Sequence, residues 1–505
     1  MLKKIILWTL IILVVLTGCF ALGLNYEINQ YWGEHTQKVS PDRFKQKQQK
    51  IVISNVSMLS EGGETMIPNQ NVFIDSGVIV AIGTDFDIPE DAKIIDGKDQ
   101  FLIPGLVDAH VHLWQSPNDL LLYLANGVTH IRELNGSEEH LQWKQEVLTG
   151  RAGPDIFVAS RRHNSNNVIA GLFNRWTAKM NNVSSSESIE QDLLALDKQG
   201  FDAVKVYTHL TPEHFAEFNR VASQHNIKLL GHIPYSMKLE DIAKSNLRDL
   251  AHIEEIVKAL DWEFGGMTRD NTQEHLDYVQ ERSDAVAKEL AENNVSVVTT
   301  LTLSESFAKQ KIALHQSLSE VELAYVNPGI AESTFPSIRV MGWLPDVNIY
   351  RLPENYPQDK IAGNQRYWKA YAQAHRLVLQ ALVKHQVTIL AGTDANVPVM
   401  VPGFSLHEEF ESMLKTGMSQ ADIIRTATEN PATIMGIKSG KIKQGYQADL
   451  VLLTANPLQD IRNTRNIEAV ISNGRLYERS TLDAMLDAVK QANDQSRTKS
   501  IAHLH

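Results

Sequence analysis

The sequence predicts an α/β protein: a (β/α)8 TIM-like barrel with a small β-sandwich domain built from the two segments that flank it. Two observations support this fold class. Between residues 105 and 435, short apolar runs typical of buried parallel strands alternate with amphipathic helical stretches. In the flanking segments 50–104 and 436–480, short β-rich runs are separated by Gly and Asn, as in antiparallel sheets. One small β domain completed by both flanks explains this arrangement most simply.

Eight apolar runs in the central region predict the strands of the barrel. They lie at residues 107–110, 127–131, 156–159, 203–207, 228–232, 249–252, 295–299 and 387–392. In a (β/α)8 barrel the catalytic side chains come from the carboxyl ends of the strands and the loops that follow them. The residues that end these runs are therefore the first candidates for chemistry.

The first 24 residues predict a signal peptide or a membrane anchor. Lys3 and Lys4 precede a long apolar run that reaches Leu16-Thr17-Gly18-Cys19, an order typical of bacterial secretory signals. The last four residues resemble a lipobox, in which Cys19 is lipidated and becomes the first residue of the mature chain. A single transmembrane anchor is the alternative, because the uncharged run 5–24 is long enough to span a bilayer. Both interpretations predict an exported, membrane-tethered protein, either a lipoprotein in the periplasm or on the outer face, or a chain with one N-terminal span.

The remaining terminal segments and the composition complete this outline. Residues 25–49 are polar and predict a tether, and residues 481–505 predict a polar C-terminal tail. Lys and Arg total 48 against 60 Asp and Glu, a net charge of −12 that argues against a nucleic-acid partner. The only cysteine is Cys19, which excludes an intrachain disulfide and a cysteine-rich metal site.

Six side chains at the ends of predicted strands indicate a metal site. Residues i and i+2 of a strand point to the same side, so His110 and His112 can present two imidazoles to one metal ion. Four more candidates each lie within or just beyond the C-terminal half of a different predicted strand: Lys205, His232, His252 and Asp394. Any single histidine here is more simply a core or surface residue. In a barrel, however, all six side chains would converge on one mouth.

Three segments resemble the amidohydrolase superfamily. They are 101–113, which resembles its opening signature, 387–394, which resembles its last-strand aspartate segment, and 426–450, which resembles its closing segment. The subgroup most similar to this sequence contains the prolidase-like and imidazolonepropionase-like metal-dependent hydrolases. Residues 203–207 resemble the binuclear branch of that subgroup, in which a carboxylated lysine bridges two metal ions.

The resemblance implies a ligand set and a reaction. His110, His112 and Asp394 would hold the more buried of two divalent metal ions, with zinc expected. His232 and His252 would hold the second, and carboxylated Lys205 would bridge them. A metal-activated water would then cleave an amide bond in a dipeptide-like or similar small substrate, with Asp394 as the general acid and base.

Two other functions stay open at this point. One is a mononuclear cyclic-amide hydrolase, similar to imidazolonepropionase, or a deaminase, in which Lys205 is not carboxylated. The other is a non-catalytic, tethered binding lipoprotein. The expected partners are a small-molecule or dipeptide substrate and the membrane, and a homo-oligomer is left open.

Two segments depart from the pattern of the family. Arg161, Arg162 and His163 lie where related sequences often carry a glycine-rich segment with a Gly-His pair, and they are candidates for binding a substrate carboxylate. Residues 303–365, which include Trp343, are long for one β/α connection. A lid over the barrel mouth and a simple packing patch are the two interpretations of that segment.

Overall fold

A computed structural model describes residues 2–333 and 342–504 of the chain, and strands of two kinds organise it. Short parallel strands form the centre, and a mixed sheet lies beside them. The strands are β1 Ile51–Leu59, β2 Met66–Asp75, β3 Val78–Gly83, β4 Lys93–Asp96, β5 Phe101–Pro104, β6 Leu106–Val111, β7 Val128–Glu133, β8 Asp155–Val158, β9 His163–Ser165, β10 Asn181–Val183, β11 Val204–Val206, β12 Leu229–Gly231, β13 Leu247–Leu250, β14 Ser296–Val298, β15 Ile389–Leu390, β16 Leu450–Leu453, β17 Ile467–Ser472 and β18 Arg475–Glu478.

Helices follow most of the central strands, as expected for β/α units. They are α1 Leu2–Tyr31, α2 Asp119–Ala125, α3 Glu138–Leu148, α4 Val168–Thr177, α5 Ser186–Gln199, α6 Pro212–His225, α7 Leu239–Ala243, α8 Ile253–Phe264, α9 Thr272–Glu292, α10 Leu301–Ile312, α11 Leu314–Ser319, α12 Pro328–Glu332, α13 Ile361–Lys384, α14 Ser405–Leu414, α15 Gln420–Thr426, α16 Glu429–Met435 and α17 Arg479–Ser496.

The central strands form two parallel sheets at the positions that the sequence predicts. One sheet has the order β6-β7-β8, and the other has the order β10-β9-β11-β12-β13-β14-β15. Backbone contacts join the sheets at both ends. Ala159, which follows β8, pairs with Ala203 before β11, and the Ala109 amide of β6 donates to the Ala391 carbonyl after β15 at 2.9 Å. The α/β class is confirmed, and β9 with β10 is an addition that the sequence did not predict.

The mixed sheet contains strands from both flanks of the central region. Its order is β18-β17-β16-β5-β1-β2-β3, with β4 paired to β1. The described residues form one continuous sheet here, where the sequence predicts two packed sheets. The reason lies in β1: its first half pairs with β4 and its second half pairs with β5, after a break at Asn55, whose φ is +58°. One bent strand therefore belongs to both halves.

The N-terminal segment is helical well beyond the predicted anchor. Among the described residues, α1 is the one helix that is long and apolar enough to cross a membrane, and its apolar stretch is not buried in the protein. The helix continues through Tyr31, into the segment predicted as a tether. Ile28 and Trp32 are buried, and Trp32 packs edge-on against Trp114 with ring centroids 5.0 Å apart. The part of 25–49 that follows these contacts consists of turns and irregular segments without helix or strand.

The C-terminal segment is also ordered rather than a polar tail. Residues 479–496 form α17, which packs against α2. Leu482, Met485 and Val489 are buried, and their spacing places them on one face of the helix. Their burial against α2 outweighs the polar composition of the segment, which is exposed on the opposite face.

The long segment 303–365 packs beside the ends of the parallel strands. Residues 334–341 of it lie outside the described residues. Trp343 is fully buried, and its indole N–H donates to the Asn396 carbonyl at 3.4 Å, two residues beyond Asp394. Tyr350 packs on Phe307 with ring centroids 4.7 Å apart. These contacts favour the packing interpretation of the described part over a lid.

Candidate metal centre and active site

The first two histidines lie at the end of β6. His110 is fully buried, and its Nδ1 donates to the Ala251 carbonyl at 2.9 Å, which directs Nε2 toward the Asp394 carboxylate at 3.4 Å. His112 follows the strand, and its Nε2 lies 3.0 Å from the same Asp394 oxygen, Oδ1. Burial lowers the pKa of His110 well below its usual value, and the neighbouring His252 lowers it further. The imidazole is therefore neutral, the form that binds a metal ion.

Asp394 lies just beyond β15, in a loop with a constrained backbone. Its φ is +57°, and its amide donates to the His110 carbonyl at 2.8 Å, which fixes the loop to β6. Burial by itself would raise the pKa of the carboxyl, but the His110 and His112 imidazoles outweigh it and hold the pKa well below its usual value. The side chain is therefore an anion whose Oδ1 has no hydrogen bond in the described structure.

Glycines allow the strands at this site to approach one another. A Cβ on Gly392, two residues before Asp394, would clash with the Val298 side chain and press on His110. Gly231, just before His232, has a φ of +134°, and a Cβ there would overlap the Val206 carbonyl. Any larger residue at either position would push apart the strands that carry the candidate ligands.

The second pair of histidines follows β12 and β13. His232 Nδ1 lies 2.9 Å from Glu255 Oε1, and His252 Nδ1 is hydrogen-bonded to Thr300 Oγ1 at 3.1 Å. The two rings are 5.0 Å apart between centroids, and the His252 ring is 4.4 Å from that of His110. Burial lowers the pKa of His252 to about 3, so this imidazole is also neutral. His252 thus links the two pairs of histidines.

Lys205 lies in the middle of β11 and is 1% exposed. Its backbone amide donates to Ser160 Oγ at 3.1 Å. Burial lowers the pKa of the Lys205 amine to about 7, and the positive charge of Arg162 acts in the same direction. In the described part of the chain, no carboxylate lies within ion-pair distance of the amine. A buried amine without a counter-ion is costly as a cation.

The structure brings five of the six predicted residues, the four histidines and Asp394, into one buried cluster. Ligand atoms of His110, His252 and Asp394 lie within 4.8 Å of one another. His112 joins them through Asp394, and His232 joins them through His252. Imidazole nitrogens with carboxylate oxygens are a donor set that suits zinc and similar divalent ions. The buried His110 Nε2 and Asp394 Oδ1, which lack hydrogen bonds in the described structure, are atoms that such an ion would satisfy.

Two carboxylates that sequence reasoning missed support the imidazoles. Glu255 accepts from the Ile233 amide at 3.0 Å in addition to its contact with His232. Glu133, at the end of β7, lies 3.7 Å from His112 Nδ1 and accepts from the Asn135 amide at 2.6 Å. A carboxylate that accepts a hydrogen bond from the second ring nitrogen of a ligand histidine fixes the orientation of the ring and raises its basicity. Their position in the sequence was the signal that could have identified them, since both acids lie just beyond the end of a predicted strand.

The three candidate substrate-binding residues take different places. The Arg162 guanidinium lies 5.0 Å from the centre of the Tyr207 ring, which is itself 4.3 Å from the His232 ring. Arg161 lines a separate cavity of about 540 Å³. His163 lines the same cavity, but both of its ring nitrogens are engaged, with the Lys205 carbonyl and the Asn181 amide, each at 3.0 Å. Of the three, Arg162 is the residue beside the candidate metal centre.

Comparison with known proteins defines the class of this chain. The model of the amidohydrolase family matches residues 101–477, so the chain belongs to that family. Among curated proteins it is similar to an ochratoxinase of Aspergillus niger, with 22% identity over 454 residues that cover 85% of this chain and 87% of the relative.

Solved structures of similar fold include an amidohydrolase and a prolidase. The bottromycin amidohydrolase superposes with a TM-score of 0.67 and 21% identity, over 89% of this chain and 92% of that one. A prolidase in complex with N-methylphosphonate-L-proline gives a TM-score of 0.61 with 19% identity, over 85% of this chain and all of the other. At these identities the structural likeness supports the fold.

Proposed function

We propose that this chain is a metal-dependent amidohydrolase that cleaves an amide bond in a dipeptide-like or similar small substrate. The observation that carries the proposal is the buried cluster of His110, His252 and Asp394, whose ligand atoms lie within 4.8 Å of one another. The imidazoles of His110 and His252 are neutral and the carboxylate is ionised, as metal ligation requires. Membership of the amidohydrolase family supports a hydrolase that acts on carbon–nitrogen bonds.

We also propose that the two parallel sheets are parts of one closed (β/α)8 barrel. The backbone contacts from Ala159 to Ala203 and from Ala109 to Ala391 support closure at both ends. In that arrangement the eight strands β6, β7, β8 and β11–β15 surround one axis. The candidate ligands then share the carboxyl end of the barrel, where such enzymes carry their active sites.

The ligand set suggests two neighbouring ions, with zinc as the proposed metal. His110, His112 and Asp394 would hold the first, and His232 and His252 would hold the second. When bound, such ions polarise the scissile carbonyl and lower the pKa of a water molecule.

We propose that Lys205 supplies the bridging ligand after carboxylation. Its amine would form an N–C bond with carbon dioxide and release one proton, which leaves a carbamate with a single negative charge. Two features support this step. The amine is buried without an ion pair in the described structure, and a carbamate offers two oxygens where a cationic amine offers none. The modification removes the positive charge that burial opposes.

The protein side chains would carry out the proton transfers and hold the substrate. Asp394, ionised and next to both imidazoles of β6, would take a proton from the attacking water and pass it to the departing amine. Arg162 would bind a carboxylate of the substrate, because its guanidinium lies over Tyr207 beside His232. Arg161 and His163 face the separate cavity and are less suited to this role.

The N-terminal segment supports a proposed location outside the cytoplasm. Its apolar helix is exposed along the stretch that follows Lys3 and Lys4, and Cys19 is exposed on it. We propose export with tethering to the membrane, through lipid on Cys19 or through α1 as a single span.

A substrate panel with metal analysis tests the proposal. The purified full-length chain, supplied with zinc, would be assayed on dipeptides, on the same dipeptides with an amidated C-terminus, and on cyclic amides. We expect two ions per chain, hydrolysis of free dipeptides, and much slower hydrolysis of the amidated set, which lacks the carboxylate for Arg162. One ion per chain with turnover of cyclic amides alone would establish the mononuclear alternative. No turnover in any set would favour a binding protein.

A further inference from the structure

Helix α4, which lies close to the candidate active site, exposes an apolar face. Asn167 caps the helix by accepting from the Ala170 amide at 2.9 Å. Val168, Ile169, Leu172 and Phe173 are between 48% and 83% exposed. Their spacing places them on one face of the helix. We call these four residues the α4 face. Contiguous exposed apolar residues of this kind mark an interaction surface.

The α4 face lies beside the point where α1 leaves the body of the protein. Trp176 Nε1 of α4 donates to Asn25 Oδ1 of α1 at 3.1 Å. The Trp32 indole, just beyond α1, donates to the Thr177 carbonyl at the end of α4 at 3.2 Å. Cys19 precedes Asn25 by six residues, or about 9 Å of helix. Whether lipid on Cys19 or α1 itself is the anchor, the membrane surface therefore lies close to α4.

The charges around α4 suit a lipid surface better than a protein partner. Residues 161–183 include Arg161, Arg162, Arg175 and Lys179 and contain no Asp or Glu. These cationic side chains are not part of the α4 face: Arg161, Arg175 and Lys179 line the adjacent cavity together with Glu138, Glu139 and Asp192. An apolar helix face within a cationic segment is typical of helices that lie in the interface of a bilayer with anionic lipids. The exposed apolar helix α1 is already next to α4.

We propose that the α4 face is buried in the headgroup region of the same membrane that holds α1, which turns the mouth of the active site toward the bilayer. The proposal rests on α1, or its lipid, being in the membrane. Arg162 connects this surface to the active site. Its guanidinium lies over Tyr207, and its Nη2 donates to the Ala178 carbonyl, one residue beyond α4, at 3.1 Å. Substrate would therefore reach the site from the membrane surface.

Fluorescence quenching by lipids tests this contact in the full-length chain. Cys19→Ser leaves a chain without cysteine and with α1 intact, and one fluorophore would then be attached through Phe173→Cys. Leu148→Cys is the matched control, since Leu148 has the same 48% exposure at the far end of α3. Leu13→Cys, in the apolar part of α1, reports on the anchor. Each protein would be placed in phosphatidylcholine and phosphatidylglycerol vesicles with plain or brominated acyl chains, after its thermal unfolding is compared with that of the parent.

We expect brominated lipid to reduce the fluorescence at positions 13 and 173 by roughly twofold or more, with no change at position 148. Quenching at position 13 alone would overturn the α4 proposal and leave the anchor in place. No quenching at position 13 would show that α1 is not in the membrane, and it would overturn the proposal that the α4 face shares a membrane with α1. A shielded probe at position 173 that does not respond to bromine would show that a protein surface covers the helix, which also refutes the proposal. No outcome depends on turnover, so failure of the hydrolase proposal is recognised separately.

Discussion

Replacing Glu255 by glutamine is expected to weaken metal binding without unfolding the protein. The carboxylate lies 2.9 Å from His232 Nδ1 and also accepts from the Ile233 amide at 3.0 Å. Glutamine keeps an oxygen for the amide but removes the negative charge. A charge-assisted hydrogen bond is about twice as strong as a neutral one, so the loss is about 1–2 kcal/mol. That energy corresponds to a decrease in affinity of about 5–30-fold.

Calorimetric titration of the metal-free protein with zinc measures this effect directly. The Glu255→Gln variant should show a weaker second binding event with the same unfolding temperature as the parent without metal. Glu254→Gln is the control, because Glu254 is the preceding residue of α8 and contacts Tyr371 and Lys258 rather than His232. Equal zinc affinity in the parent and in Glu255→Gln would refute the role of Glu255 in orienting His232. An equal loss in the Glu254→Gln control would show a general effect of charge.

Four further outcomes are expected. Lys205→Ala should lower metal occupancy and abolish activity, and acetate or formate at high concentration should partly restore activity; an active variant without such additives would contradict the bridging role. Asp394→Asn should reduce turnover by about 10²–10⁴-fold, measured as kcat on the best dipeptide, and an unchanged kcat would remove Asp394 from the mechanism. Burial raises the pKa of the Glu408 carboxyl from 4.5 to about 7, so the folded protein binds the carboxyl proton more tightly than the unfolded chain does. The stability that this proton contributes is complete below pH 4.5 and is lost as the pH rises through 7. Glu408→Gln should therefore raise the unfolding temperature more at pH 8 than at pH 5, and equal shifts at both values would contradict this assignment. Mass spectrometry of the mature protein should find lipidated Cys19 as the first residue, whereas an unmodified chain that keeps Met1 would identify α1 as the anchor.

The central strands could be predicted because each is a short apolar run that ends in a polar residue. The run 203–207, for example, contains β11 with Lys205 at its centre. The short strands β9 and β10 carry no such signal, since residues 163–165 and 181–183 are mostly polar. They form because backbone pairing with each other and with β11 fixes them. Pairing of this kind depends on three-dimensional proximity, which the local pattern does not reveal.

The candidate ligands could be predicted for the same reason, but their supporting residues could not. His110, His232 and His252 end apolar runs, and the carboxyl ends of neighbouring parallel strands lie at the same edge of a sheet, so the strand pattern predicts that they lie together. Glu255 is three residues beyond His252 in the sequence, yet it contacts His232 from the preceding strand. Glu133 reaches His112 from the neighbouring strand β7. Such contacts between strands depend on side-chain direction and register rather than on spacing along the chain.

The mixed sheet has a consequence for the time at which the protein can fold. Ile103 of β5 pairs with Val451 of β16, about 350 residues later in the chain. At about 5–20 residues per second, synthesis of the intervening chain takes roughly 20–70 s. During that interval one edge of β5 has no partner, and an unpaired strand edge readily associates with other chains. Shielding of β5 until β16 has been made would prevent that association.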